Sequence, residues 1–190
     1  MNIYDEYPDQ IELDGKSIQL DLSYDNVLRV LDIQEDENLT SADRIEAQCE
    51  LLLARGCRDM PRSIKDRQRL LKAVFDLFPK AENSTGERYI DFHQDAAMIR
   101  SAFFRIGVDL TRQKIHILQF LELLADLPSD TALMRTVEIR QKPIPKPTKE
   151  NAEYIAQLQK AKARVAIKLS EEERRKRFSE SLRNSSILRG

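Results

Sequence analysis

The sequence predicts an all-α protein: a compact multi-helix domain with a short N-terminal β-hairpin and a C-terminal charged helical arm. Three observations predict it. Apolar residues recur at intervals of three and four in segment after segment, most of them opened by a capping residue. Only five glycines and seven prolines punctuate 190 residues, while apolar types make up 41% and charged types 33%, a balance that suits a helical chain better than a sheet sandwich. Strict alternation is confined to residues 10–22, "QIELDGKSIQLDL".

That alternation runs on both sides of Asp14-Gly15, a dipeptide suited to the positive φ values of a two-residue hairpin turn, and it makes Ile11, Leu13, Ile18 and Leu20 the apolar positions. Ser23 then precedes a first helix through "YDNVLRVLDI", with Val27, Leu28 and Leu31 on its apolar face and the acidic loop "QEDEN" at its end. Thr40 or Ser41 caps the second, where Ile45, Cys49, Leu52 and Leu53 share a face before Gly56 stops it. Cys49 reads as a small core residue. A third helix follows in "MPRSIKDRQRLLKAVFDLFPK", with Ile64, Leu70, Leu71, Val74, Phe75 and Phe78 apolar, a basic opposite face, and Pro79 as terminator. Residues 80–89 lack apolar period and read as an exposed loop.

Asp91 caps the next segment, "FHQDAAMIRSAFFRIG", striped by Ala96, Ile99, Ala102, Phe103 and Ile106 and ended by Gly107. The helix after it is predicted to start at Asp109 or Thr111 and stop at Pro128. Its polar positions His116, Gln119, Glu122 and Asp126 form one narrow stripe, while Ile115, Ile117, Leu118, Phe120, Leu121, Leu123, Leu124 and Leu127 fill the rest. Such a helix must be covered on most sides, by its own domain or by other subunits. Ser129 or Asp130 opens a last body helix carrying Leu133, Met134, Val137 and Ile139.

Three prolines in "KPIPKP" exclude helix and favour a stiff connector, which places a helical body over 1–140, a proline-rich hinge over 141–147 and a basic helical tail over 148–190. In the tail Ala152, Ile155, Leu158, Val165 and Leu169 are sparse among charges, so that helix is expected to gain little from self-burial and to need a partner. Charge follows the same division. Residues 1–140 hold 18 Lys/Arg against 26 Asp/Glu, and residues 141–190 hold 13 against 6, an acidic body with a basic tail.

Motifs of chemistry are missing. No Gly-x-Ser-x-Gly elbow occurs, and the five glycines do not cluster into a phosphate cradle. Two cysteines, Cys49 and Cys57, make neither a disulfide framework nor a thiol zinc site and fit a reducing cytoplasm. His93 and His116 fall on different helices with no His-x-x-x-His or Glu-x-x-His spacing, although Glu122 or Asp126 could stand beside His116. The expectation is a protein that is not an enzyme, with no cofactor and no metal. "MNIYDEYPDQ" is acidic where a signal peptide needs a basic start, and no window approaches about 18 uncharged apolar residues, so no membrane contact is expected. The basic tail raises nucleic acid as an alternative partner through Lys160, Lys162, Arg164, Lys168 and Arg174 to Arg177. It holds only two aromatics, Tyr154 and Phe178, and is interrupted by Glu171 to Glu173, so nucleic acid is not the expected partner.

From Tyr89 to Lys146 the order of elements is specific. A capped helix ends "Ser101-Ala102-Phe103-Phe104" before Gly107; Asp109-Leu110 follows, then His116 near the start of an apolar helix with Phe120-Leu121 and Leu123-Leu124, then "LPSDT", and Ile139-Arg140 running into prolines and a lysine-rich helix. This run resembles the "gene product fifteen" family of tailed phages and prophages of Gram-positive hosts, whose members are tail assembly chaperones. The resemblance extends in order over residues 10–165. Where members often carry tryptophans after the histidine, this chain has Ile117 and Leu118, which keep the apolar character.

The resemblance implies binding rather than catalysis: a phage tail assembly chaperone that coats and solubilises the tape-measure protein in the host cytoplasm and is absent from the mature virion. It also implies a homo-oligomer, and, as further partners, a frameshifted longer form of the chain and the tail-tube protein. On this reading Phe103, Ile117, Phe120, Leu121 and Leu124 of the body, with Ile155, Leu158 and Val165 of the tail, are the candidate protein-interaction residues. The alternatives are a small helical nucleic-acid-binding phage protein and a minor structural virion protein.

Overall fold

The computed structural model describes residues 6–55, 57, 60–78 and 88–168. Gly56, Pro79, the loop over 80–87 and the tail beyond residue 168 lie outside the described residues. Among the described residues there are a two-stranded antiparallel hairpin, β1 Gln10–Leu13 and β2 Lys16–Gln19, and seven helices: α1 Tyr24–Glu35, α2 Ser41–Leu52, α3 Ile64–Asp76, α4 Ala96–Arg105, α5 Ile117–Ala125, α6 Ala132–Gln141 and α7 Ala152–Val165. No helix among them is long and apolar enough to cross a membrane.

The chain falls into two compact units, Met1–Thr85 with Phe103–Leu127, and Gly86–Ala102 with Pro128–Gly190. The first unit opens with the hairpin. Asp14 and Gly15 both take positive φ, 52° and 74°, which sets the register Ile11↔Ile18 and turns both side chains into the core. The strand then continues as an extended segment paired on two sides: Asp21 N–H donates to Leu52 O at 2.8 Å, and Ile117 N–H donates to Leu22 O at 2.8 Å. This segment ties α2 and the start of α5 to the hairpin. α2 packs against both α1 and α3, which make no backbone contact with each other.

Capping explains most of the helix starts. Thr40 and Asp43 form a reciprocal capping box at α2, and Ser63 Oγ accepts from Asp66 N–H at α3. α4 ends in a Schellman turn: Val108 N–H reaches Phe103 O, Gly107 N–H reaches Phe104 O, and Gly107 supplies the required φ of 87°. The buried faces of α1 to α3 are Val27 and Val30, Cys49 and Leu52, and Leu70, Leu71 and Val74. Leu31, Ile64 and Phe75, expected on those faces, are exposed instead.

Three other expectations are corrected. α5 does not start at Asp109 or Thr111. Asp109 closes a single turn, its carboxylate accepting from Thr111, and the backbone at 114–116 leaves helical geometry because Ile115 O accepts from Tyr24 N–H at 3.0 Å. α6 is capped by Thr131, whose hydroxyl accepts from Met134 N–H, rather than by Ser129 or Asp130. Asp91 caps only a preceding turn, accepting from His93 and Gln94 N–H groups, and α4 proper begins at Ala96.

The second unit carries the arm. Lys142 to Thr148 has no regular structure, as its prolines dictate, and Asn151 folds the chain back by accepting from Thr148 N–H and donating to Lys146 O. α7 then packs against α6 with Ile155 and Leu158 buried. The arm was expected to lack self-burial; over Ala152–Val165 it does not, because its sparse apolar positions fall at 155 and 158, one turn apart on one face.

Candidate interaction surfaces

The candidate residues of the first unit cluster around an aromatic stack. Phe120 lies between Tyr24, with ring centroids 5.0 Å apart and planes 11° from parallel, and Phe103, at 4.9 Å and 13°. Tyr24 completes its own hydrogen bonding by donating to Leu110 O at 2.6 Å. Phe103, Ile117, Phe120 and Leu124 are buried, and Leu121 is half-buried. These residues are brought together, but as core rather than as open surface. In the second unit Ile155 and Leu158 are likewise buried, and Val165 is half-buried.

His116 has a structural assignment. Its Nδ1 accepts from Leu118 N–H at 3.1 Å, which caps α5 and places the ring proton on Nε2, 3.0 Å from Pro8 O. Tyr7 stacks on the imidazole with centroids 5.0 Å apart and donates to Glu122 Oε2 at 2.6 Å. The stretch at Tyr7–Pro8 is thereby fastened to the start of α5. Burial lowers the His116 pKa below its ordinary value, against the opposing pull of Pro8 O, Asp9 and Glu122.

A pH dependence follows with a definite sign. The folded state favours neutral His116, so its stabilisation is complete above the unfolded-state value of about 6.5 and is lost as pH falls through that value toward the lower folded one. Chemical denaturation of the native chain should show stability decreasing over this window, before the carboxylates titrate. The His116→Asn variant, which retains a capping side chain but no titrating ring, should show a flatter profile there.

Of the two free cysteines, Cys57 is half-buried and Cys49 lies in the core. The Cys49 thiol is fully buried, burial pushes its pKa up to about 11, and its Sγ lies 3.6 Å from Arg67 O. The Thr111 hydroxyl and N–H hold the Asp109 carboxyl below the usual range. No group of three or more His, Cys, Asp or Glu among the described residues is arranged to hold a metal ion. A cleft of about 470 Å³ along the extended segment places Asp21 near Arg55, Lys114 and His116, a mixture of signs that selects no single ligand charge.

Sequence reasoning misses two features. In the second unit the Arg140 guanidinium makes a bidentate pair with Asp95, at 2.5 and 2.9 Å, with side chains 6% and 0% exposed. It also donates to Tyr89 O at 2.7 Å and Val165 O at 2.6 Å, while Lys162 Nζ donates to Arg140 O at 2.6 Å. Beside it the Gln94 amide pairs with the backbone at Ala166 and Lys168. Together these contacts hold both the segment before α4 and the end of α7. Phe104 is the second feature. It is 70% exposed, on the turn of α4 just before its Schellman cap, with Ile106 partly exposed nearby. Among the described residues of the second unit, Ile144 and Tyr154 are large exposed apolar side chains, with Lys142 Nζ 5.8 Å from the Tyr154 ring centroid.

A family model described as Bacteriophage Gp15 protein matches residues 3–167. No curated protein and no solved structure matches the chain.

Proposed function

The chain belongs to the bacteriophage Gp15 protein family, and from that premise we propose that it is a non-catalytic tail assembly chaperone that binds and solubilises the tape-measure protein. What carries the reading is the run from Tyr89 to Lys146, whose likeness to tail assembly chaperones lies wholly within the matched residues 3–167. The chaperone acts in the host cytoplasm and leaves before the particle is complete.

The burial of α5 changes where the client would bind. An apolar helix whose Ile117, Phe120 and Leu124 are already covered by its own unit has little surface left to offer, so the contacts fall to large apolar side chains left in solvent. Phe104 and Ile106 serve in the first unit, Ile144 and Tyr154 in the second. Aromatic and aliphatic side chains of this kind suit a long client helix that presents apolar residues at intervals of three and four.

Co-expression with the tape-measure protein is the direct test. The client should shift from the insoluble to the soluble fraction when this chain is present; equal solubility with and without it would sink the reading. Phe104→Ser should keep the native melting temperature, because exposed substitutions change stability by only about 0.5 kcal/mol. It should nevertheless reduce the soluble yield of client. Purified particles should contain none of the protein.

A further inference from the structure

We propose that the client segment this chain selects is an acidic amphipathic helix, one whose apolar stripe is bordered by aspartate or glutamate. The inference rests on the chaperone reading above and adds the charge that tells one apolar client stretch from another. In each unit the exposed apolar side chains fall in a short stretch rich in cations, although residues 1–140 as a whole hold 18 Lys/Arg against 26 Asp/Glu.

In the first unit Phe104 and Ile106 open the stretch 104–114, which carries Arg105, Arg112 and Lys114 against Asp109 alone. The half-buried Asp109 carboxylate already accepts from the Thr111 hydroxyl and N–H, and its 3.6 Å contact with Arg112 leaves that side chain 86% exposed. Lys114 is 66% exposed and 3.6 Å from Asp25. Exposed pairs of this length hold their cations weakly, so both cations stay open to a carboxylate from outside.

In the second unit Ile144 lies in the stretch 142–149, which carries Lys142, Lys146 and Lys149 and no acidic residue. Lys142 Nζ also stands over the Tyr154 ring, which ties the other exposed apolar side chain to the same cations. Glu150 and Glu153 run against the pattern; Glu153 accepts from the Gln157 amide at 3.3 Å.

On a client helix, carboxylates three or four residues from an apolar anchor lie on the anchor's own face. Such a helix seats its anchor on Phe104 or Ile144 with its carboxylates toward the cations, whereas a lysine-bordered stripe of equal hydrophobicity brings like charges together. Apolar contact supplies affinity for either helix, and charge decides between them. Leu31 gives the contrast within the chain: it is exposed but followed by Glu35, Asp36 and Glu37, a setting that repels an acidic helix.

The test uses the purified full chain and three synthetic helical peptides that share one apolar stripe, bordered by glutamate, by glutamine or by lysine. Fluorescence anisotropy at low salt should show the glutamate peptide binding about tenfold more tightly than the lysine peptide, with the gap closing as ionic strength rises. Phe104→Ser and Ile144→Ser should each weaken the glutamate peptide, and Leu31→Ser should not. Arg112→Glu with Lys114→Glu, and Lys142→Glu with Lys146→Glu, should each shrink the preference, and the four together should reverse it. Glutamine at the same four positions, which adds no repulsion, should abolish the preference and serves if a glutamate variant loses the native thermal transition. Equal affinity for the glutamate and lysine peptides, or a preference unmoved in folded charge variants, would overturn the proposal. So would a short single-stranded oligonucleotide that displaces the glutamate peptide and depends on Phe104, which would assign the surface to nucleic acid. Solubilisation of the tape-measure protein is scored separately. If it persists with no charge preference, this inference falls and the chaperone reading stands; a charge preference without solubilisation supports acidic-helix binding and sinks the chaperone reading.

Discussion

Arg140→Ala should destabilise the second unit by about 3–5 kcal/mol, the cost of stranding a buried charge when its partner is removed. Asp95 has no exposed surface, and its carboxylate would keep only the Asp91 N–H as a donor at its Oδ2. Two backbone carbonyls, Tyr89 O and Val165 O, would lose their guanidinium donors as well. Hydrogen exchange should therefore accelerate in α7 and in the turns before α4. Arg140→Lys should recover only part of the loss, because one ammonium cannot reproduce the fork that spans Asp95, Tyr89 and Val165. Replacing the pair together, with Arg140→Met and Asp95→Leu, should cost less than Arg140→Ala alone, since no lone charge is then buried.

That pair also marks where the sequence stops being legible. The hairpin could be read because Asp14-Gly15 carries its turn chemistry in two adjacent residues, α2 because Thr40 acts on an N–H group three residues away, and α3 because Leu70, Leu71 and Val74 recur at helical spacing. The helical character of the chain and its N-terminal hairpin were visible for the same local reasons. Arg140 and Asp95 are 45 residues apart, and nothing in either neighbourhood distinguishes them from surface charges. The start of α5 fails from the same cause: 114–116 carry helical periodicity, but their backbone is claimed by residues 22–24, more than ninety positions earlier. Exposure of Leu31, Ile64 and Phe75 was equally hidden, because periodicity shows which residues share a face and not which faces are covered. The apolar arm residues Ile155 and Leu158 were visible as apolar; their cover, α6, was not.

The candidate residues in α5 separate two roles that the sequence joins. Phe120→Ala should cost about 3–5 kcal/mol, the range for truncating a buried phenylalanine. Its ring is 1% exposed and stacked on both sides, and each aromatic pair adds about 0.5–1.5 kcal/mol beyond area burial. Phe120→Leu keeps most of the volume and loses both stacks, so it should fall between native and alanine. The informative comparison is with Phe104→Ser. If Phe120 acts only as core, client solubilisation by the Phe120 variants should decline in step with their folded fraction and recover when temperature is lowered enough to refold them. Phe104→Ser should lose solubilisation while remaining fully folded. A folded Phe120→Leu protein that fails to solubilise the client would instead mean that α5 becomes accessible during the encounter, and the client surface would have to include the stack itself.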